Sequence, residues 1–132
     1  MTNKAALNCP TEGEEQATLF SWARMYENKY PQLKWMFHIP NEGKRSRTTG
    51  GRMRSEGMKS GVADIFLPAP SGEYHGLFIE LKRLRGGKRT EKQEEFIAAM
   101  NSAGYCACFC AGWMAAAEVI VGYLEGDFAW KQ

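Results

Sequence analysis

The chain has 132 residues, 44% hydrophobic and 24% charged, which is the composition of an ordinary globular protein. This length fits one compact core, so residues 1–132 are expected to form a single domain. No stretch approaches the roughly 18–20 apolar residues that a membrane span needs, and the N-terminus lacks a signal-peptide pattern. A cytoplasmic protein is therefore expected.

Basic residues are concentrated in the middle of the chain, although the net charge is only +2. Residues 44–59 carry six basic side chains against one acid, Glu56. The segment is rich in glycine and has no apolar period, so a basic flexible loop is expected over about residues 44–60. Such segregated charge suits a polyanionic partner, and a solvated surface loop is the alternative.

The first predicted helix spans about residues 12–29. It begins with a capping box, in which Thr11 accepts from the amide of Glu14 and the Glu14 carboxylate reaches back. Apolar residues then recur at helical spacing, and Pro31 ends the helix. The aromatic-rich residues 33–39 are predicted to form a strand.

A hairpin and a helical segment make up the predicted second half of the fold. Residues 62–67 and 76–82 are short apolar runs that are expected to pair as antiparallel strands. A helix that Thr90 caps and that runs to about Asn101 follows, then a strand over residues 105–111 and a helix over residues 113–124. The order α-β-β-β-α-β, with one further helix, predicts an α/β fold with a mixed central sheet flanked by helices.

Three cysteines alternate in the last predicted strand: Cys106, Cys108 and Cys110. Because side chains alternate along a strand, all three would lie on one face. A metal cluster is one interpretation of this spacing. A buried strand is favoured, because the pattern lacks the C-x-x-C pairs of common zinc sites and free cysteine is often buried.

Charged residues interrupt the two apolar hairpin strands. Asp64 lies in the first, while Glu80 and Lys82 lie in the second on one face, since residues two apart share a face. Hairpin pairing would bring Asp64 beside them. Paired carboxylates form a hard-oxygen site suited to Mg²⁺ or Mn²⁺, which can activate water for attack on a phosphate. A simple ion pair is the alternative, but unpaired carboxylates are costly to bury in an apolar strand.

These residues resemble the D…E-x-K signature of the PD-(D/E)XK nuclease superfamily, with Asp64 followed by Glu80 and Lys82. Ala63 stands where the family usually has proline before the aspartate. More narrowly, the chain resembles the small VRR-NUC nucleases of phages and bacteria over roughly residues 11–112. The further shared motifs are Glu12 and Gln16 of the first helix, His38-Ile-Pro-Asn41-Glu-Gly43, Lys59-x-Gly61-x-x-Asp64, Thr90-x-x-Gln93 and Gly104.

The resemblance implies a restriction-endonuclease-like fold and a divalent-metal-dependent DNA endonuclease. It implies that the Asp64 and Glu80 side chains and the Leu81 carbonyl hold Mg²⁺ or Mn²⁺. Lys82 would position the attacking water, and Gln93 would support the site.

In such families an acidic residue of the first helix commonly completes the site. Glu12 is chosen here by motif match, since it shares a helical face with Gln16. Glu15 is the alternative. Compensation of the helix dipole accounts equally well for acids at this position.

The residues expected to contact DNA phosphates lie in or beside the predicted basic loop. They are Asn41, Lys44, Arg45, Arg47, Arg52, Arg54 and Lys59. Such contacts carry affinity without sequence information. His38 is interpreted as a hydrogen-bonded scaffold residue, with a general base as the alternative.

The resemblance to stand-alone members of the family implies that this protein cleaves Holliday junctions or other branched DNA by structure rather than sequence, as a homodimer. If the protein is phage-encoded, its location would be the cytoplasm of the bacterial host. Two other functions stay open at this point: a non-catalytic nucleic-acid-binding module, and a nuclease acting on RNA or on DNA ends.

Overall fold

The computed structural model describes residues 9–40, 52 and 54–131, and these form a four-stranded mixed sheet with helices on both faces. The strands, in both chain order and sheet order, are β1 (Phe37–His38), β2 (Ile65–Leu67), β3 (Leu77–Lys82) and β4 (Cys106–Ala111). Strands β1, β2 and β3 pair antiparallel, whereas β3 and β4 are parallel. The predicted hairpin is therefore confirmed.

Three α-helices of the described ranges flank this sheet, namely α1 (Glu12–Met25), α2 (Glu91–Ser102) and α3 (Trp113–Leu124). Helices α1 and α3 pack on one face, in the main core that includes Leu19 and Ile120. Helix α2 covers the other face, in a smaller cluster around Ile97 and Ala107. The predicted α/β class is confirmed. None of the described helices is long and apolar enough to cross a membrane.

The two faces of β3 carry different chemistry. Leu77, Ile79 and Leu81 are each at most 1% exposed and belong to the main core under α1 and α3. The alternate residues of the strand include Glu80 and Lys82, which therefore lie on the α2 face. This alternation directs charged side chains to one face of a strand whose other face anchors the core.

Helices α1 and α2 both begin with a complete capping box. Thr11 Oγ1 accepts from the Glu14 amide at 3.1 Å, and Glu14 Oε1 accepts from the Thr11 amide at 2.9 Å. In the second box, Thr90 Oγ1 accepts from the Gln93 amide at 3.2 Å and Gln93 Oε1 accepts from the Thr90 amide at 3.0 Å. The first box agrees with the sequence prediction, which expected only the Thr90 cap of the second.

Two predicted elements near the N-terminus are wrong in extent or type. The first helix ends at Met25 and is followed by hydrogen-bonded turns, so it is four residues shorter than the predicted 12–29. In the predicted strand over 33–39, the first three residues belong to a 3₁₀ helix, Pro31–Trp35, and only Phe37–His38 form a strand. Pro31 fixes a helical φ at the start of this turn, and that local constraint outweighs the strand propensity of the aromatic residues.

The cysteines of β4 agree with the buried-strand interpretation. Cys106 and Cys110 are buried and Cys108 is half-buried, and all are free thiols that pack in or against the main core. The Cys108 and Cys110 sulfur atoms are 3.9 Å apart. Burial raises the pKa of the Cys106 thiol to about 11, so the neutral form is favoured.

Candidate active site

Asp64 and Glu80 face each other across the open end of the β2–β3 hairpin. Ile65 pairs with Ile79, so the antiparallel register continues to Asp64 opposite Glu80. Asp64 immediately precedes β2 rather than lying inside it, and the Leu81 amide donates to its Oδ2 at 2.9 Å. The exposed fractions of Asp64 and Glu80 are only 8% and 3%.

Glu12 joins this carboxylate pair from the first turn of α1. One carboxylate oxygen from each of Glu12, Asp64 and Glu80 lies within 4.8 Å of the others, and Glu12 is the most exposed of the three. The structure therefore brings together the two hairpin carboxylates and the helix acid chosen from the sequence. These three carboxylates are called the acidic cluster below.

Lys82 and Gln93 close one side of the acidic cluster. Lys82 Nζ lies 3.4 Å from Glu80 Oε2 and donates to Gln93 Oε1 at 2.8 Å. Gln93 Nε2 donates to the same Glu80 oxygen at 3.1 Å. Because Gln93 also completes the capping box of α2, the start of that helix is tied directly to the site.

Burial raises the pKa of both cluster carboxyls of the hairpin above their ordinary values. For Glu80, burial is the largest cause and the charge of Asp64 is the next, and the pKa rises to about 8. For Asp64 the rise is also caused mainly by burial, and the hydrogen bond from the Leu81 amide opposes it. A cation beside the pair would favour the ionised forms of both groups.

The acidic cluster fits a hard divalent cation. Its ligand atoms are carboxylate oxygens, which Mg²⁺ and Mn²⁺ prefer. Lys82 supplies a single ammonium charge to three carboxylates. Glu80 Oε1 is also buried without a hydrogen-bond partner among the described residues. A buried oxygen of this kind is costly unless something meets it, and a cation would do so.

Glu15, the alternative to Glu12, has a different contact. It is 3% exposed, and its Oε1 accepts from the Trp113 amide at 3.1 Å. Trp113 is the first residue of α3, so its amide is one of those that the start of a helix leaves without a partner inside the helix.

His38 agrees with the scaffold interpretation in its contacts. Its Nδ1 donates to the Asp64 carbonyl at 2.9 Å, and the Ile39 amide donates to the same carbonyl at 2.6 Å. Both bonds fix the backbone at Asp64, where β2 begins. The ring thus contacts the backbone of a cluster residue rather than its carboxylate.

The predicted phosphate contacts are described only in part. Asn41, Lys44, Arg45 and Arg47 lie outside the described residues. Arg52 and Arg54 are exposed on a helical turn, and Lys59 is exposed in a groove of about 470 Å³ beside α2. The same groove is lined by Lys92, which donates to Ser60 Oγ at 3.2 Å. Sequence reasoning did not select Lys92, although it ends a further basic stretch of the chain, residues 82–92.

A solved structure described as a VRR_NUC domain protein is similar to this chain. The two share 27% sequence identity with a TM-score of 0.76, and the match covers 89% of this chain and 91% of that chain. No protein-family model and no curated protein matches the chain. The resemblance to VRR-NUC proteins predicted from the sequence is thus confirmed, and the chain has the fold of a VRR-NUC nuclease domain.

Glu12 and Glu15 can be separated by the same substitution at each position. We predict that Glu12→Ala weakens Mn²⁺ binding by roughly 10- to 100-fold and changes the free energy of unfolding by less than about 1 kcal/mol. Glu15→Ala should leave Mn²⁺ affinity unchanged and cost about 1–3 kcal/mol of stability, because the Trp113 amide loses its acceptor. Calorimetric titration and chemical denaturation measure the two effects. Loss of ion affinity in Glu15→Ala alone would contradict this assignment.

The raised pKa of Glu80 predicts a pH-dependent stability when divalent ions are chelated. A carboxyl whose pKa rises on folding contributes stability that is complete below its unfolded pKa and is lost as pH rises through its folded pKa. For Glu80 this window runs from 4.5 to about 8. Thermal melting in EDTA should show Tm falling by several degrees across it. In Glu80→Gln most of that decrease should disappear, and an unchanged decrease would show that another group is responsible.

Proposed function

We propose that this protein is a divalent-metal-dependent endonuclease that hydrolyses phosphodiester bonds in DNA. The observation that carries the proposal is the convergence of Glu12, Asp64 and Glu80 oxygens within 4.8 Å, with the Lys82 ammonium 3.4 Å from Glu80. The likeness to a VRR_NUC domain protein supports the same chemistry. Burying this set of charges serves no evident packing purpose, which favours a catalytic role.

The ligands proposed for Mg²⁺ or Mn²⁺ are the three cluster carboxylates and the Leu81 carbonyl. The carbonyl is supported by the direction of the backbone. The N–H and C=O of one strand residue point to the same neighbour, and the Leu81 amide points to Asp64. The next carbonyl, that of Lys82, accepts from Gly112 on the opposite side of β3. The Leu81 carbonyl is therefore directed towards the acidic cluster.

Lys82 is proposed to orient the attacking water and to offset negative charge that develops on the phosphate. Its ammonium has three donors, and its contacts with Gln93 and Glu80 hold Nζ in place while leaving one donor for water. The chemistry that a divalent cation supplies at such a site is polarisation of a phosphoryl oxygen and acidification of water. Gln93 is proposed as a positioning residue that acts through Lys82 and Glu80.

The proposed substrate is branched DNA, such as a Holliday junction, and the proposed active form is a homodimer in the cytoplasm. These features rest on the family resemblance stated for the sequence. A four-way junction presents two equivalent strands, so two symmetric sites would match it. The exposed basic side chains of Arg52, Arg54 and Lys59 could bind phosphates without reading bases.

Cleavage assays on three variants test the catalytic assignment. Glu80→Gln and Lys82→Ala should each lower Mg²⁺-dependent cleavage by at least about 100-fold, because one loses a ligand and the other the ammonium. Glu118→Gln, the same change at an exposed residue of α3, should cleave like the wild type. Equal activity in all variants would overturn the site. Binding without cleavage of any nucleic acid would favour a non-catalytic binding module.

A substrate panel at one stated salt concentration extends this assay to specificity. Four-way junctions, flaps, linear duplexes, single strands and RNA are compared for initial rate, and sedimentation reports the oligomeric state. Faster cleavage of junctions by a dimer is the expected result. A preference for RNA or for free ends would replace the branched-DNA proposal while leaving the acidic cluster intact.

Thr90 and Gln93 provide a matched pair for testing the positioning role. Each alanine substitution removes one half of the α2 capping box and should cost about 1 kcal/mol of stability. Only Gln93 also contacts Lys82 and Glu80, so Gln93→Ala should lower kcat by roughly 10- to 100-fold while Thr90→Ala leaves kcat unchanged. Equal kcat losses in both variants would mean that the capping box, not the side-chain contact, is what matters.

A further inference from the structure

A row of aromatic rings crosses the sheet beside the acidic cluster. Phe37 of β1 pairs with Phe66 of β2, and Phe66 pairs with Phe78 of β3. The Phe37 and Phe66 rings meet edge to face, with their centroids 5.8 Å apart. The Phe66 and Phe78 rings are stacked, with their centroids 4.3 Å apart. Phe37, Phe66 and Phe78 are called the aromatic row below.

The aromatic row and the hairpin carboxylates occupy the same face of the sheet. Phe66 lies two residues after Asp64, and Phe78 lies two residues before Glu80. Residues two apart share a face and are about 7 Å apart along the strand. This distance is comparable with that between a phosphate and the base of an adjoining nucleotide. A phosphate at the acidic cluster would therefore have its flanking base near the row.

The row is covered at its inner end and exposed at its outer end. The Phe78 ring packs against the Phe96 ring of α2, with their centroids 5.3 Å apart, whereas Phe37, on the edge strand, is 48% exposed. The middle ring packs against Gly76, where an added Cβ would come within 2.9 Å of Phe66 Cε1, so glycine makes room for this ring. Phe37 thus rests against a stacked aromatic pair, and about half of its surface is open to solvent.

We propose that Phe37 is a stacking platform for an unpaired nucleobase next to the phosphate that is cleaved. This inference rests on the proposed nuclease function and narrows its substrate to branched DNA in which a base at the branch point is unpaired or unstacked. Every base has a π-face, so an exposed ring accepts any of them without reading sequence. In an intact duplex these faces are already stacked, and only an unpaired base can reach the platform.

Binding measurements with divalent ions chelated test this platform without cleavage. Fluorescence anisotropy at several salt concentrations compares a single-stranded oligonucleotide with its duplex. Phe37→Ala and Phe37→Leu should weaken single-strand binding by about 5- to 100-fold and leave duplex binding unchanged. Phe37→Trp, which keeps an aromatic ring, should bind single strands like the wild type. The salt dependence should stay the same, because no phosphate contact is lost. The matched control is Met114→Ala, at a residue of α3 that is 64% exposed.

Three results would overturn the platform. The first is that Phe37→Leu binds single strands like the wild type. The second is that the Phe37 variants lose affinity for single strands and duplex alike. The third is that the variants change only the oligomeric state seen in sedimentation. Melting curves of each variant verify that it is folded before binding is compared. The outcome is separable from that of the nuclease proposal. Loss of cleavage in Glu80→Gln with no Phe37 effect refutes only the platform, whereas a Phe37 effect without any cleavage refutes only the nuclease.

Discussion

The antiparallel register of β2 and β3 is the constraint on which the candidate site depends. Ile65 of β2 pairs with Ile79 of β3, and each side chain is only 1% exposed beneath α1 and α3. A slip of one residue would turn these side chains out of the core, so their burial strongly fixes the register. The same register sets Asp64 opposite Glu80 on the other face. Apolar packing on one face of the hairpin thereby offsets the cost of holding two carboxylates together on the other.

Side chains in and beside the candidate site also make the hydrogen bonds with which the helices begin. Gln93 caps α2 and also holds Lys82 and Glu80. In α1, Glu12 points to the acidic cluster, while Glu15 satisfies the first amide of α3. Because the candidate site combines hairpin residues with side chains of α1 and α2, which pack on opposite faces of the sheet, it forms only when both helices have docked. This explains why stability and ion binding have to be measured separately for each variant.

Much of the geometry of the candidate site was predictable because it follows from local rules. Alternation placed Glu80 and Lys82 on one face, hairpin pairing added Asp64, and motif resemblance selected Glu12 and Gln93. The error at residues 33–39 arose where one proline outweighed the propensity of aromatic residues. The role of Glu15 and the aromatic row depend on contacts between elements distant in sequence, and no local pattern specifies these.

The most direct measurement of the central claim is anomalous diffraction from crystals soaked in Mn²⁺. One strong peak should lie about 2.0–2.6 Å from carboxylate oxygens of both Asp64 and Glu80, with the Leu81 carbonyl in the same coordination sphere. An ordered site that holds no ion at saturating Mn²⁺, or an ion bound only elsewhere on the protein, would contradict the account.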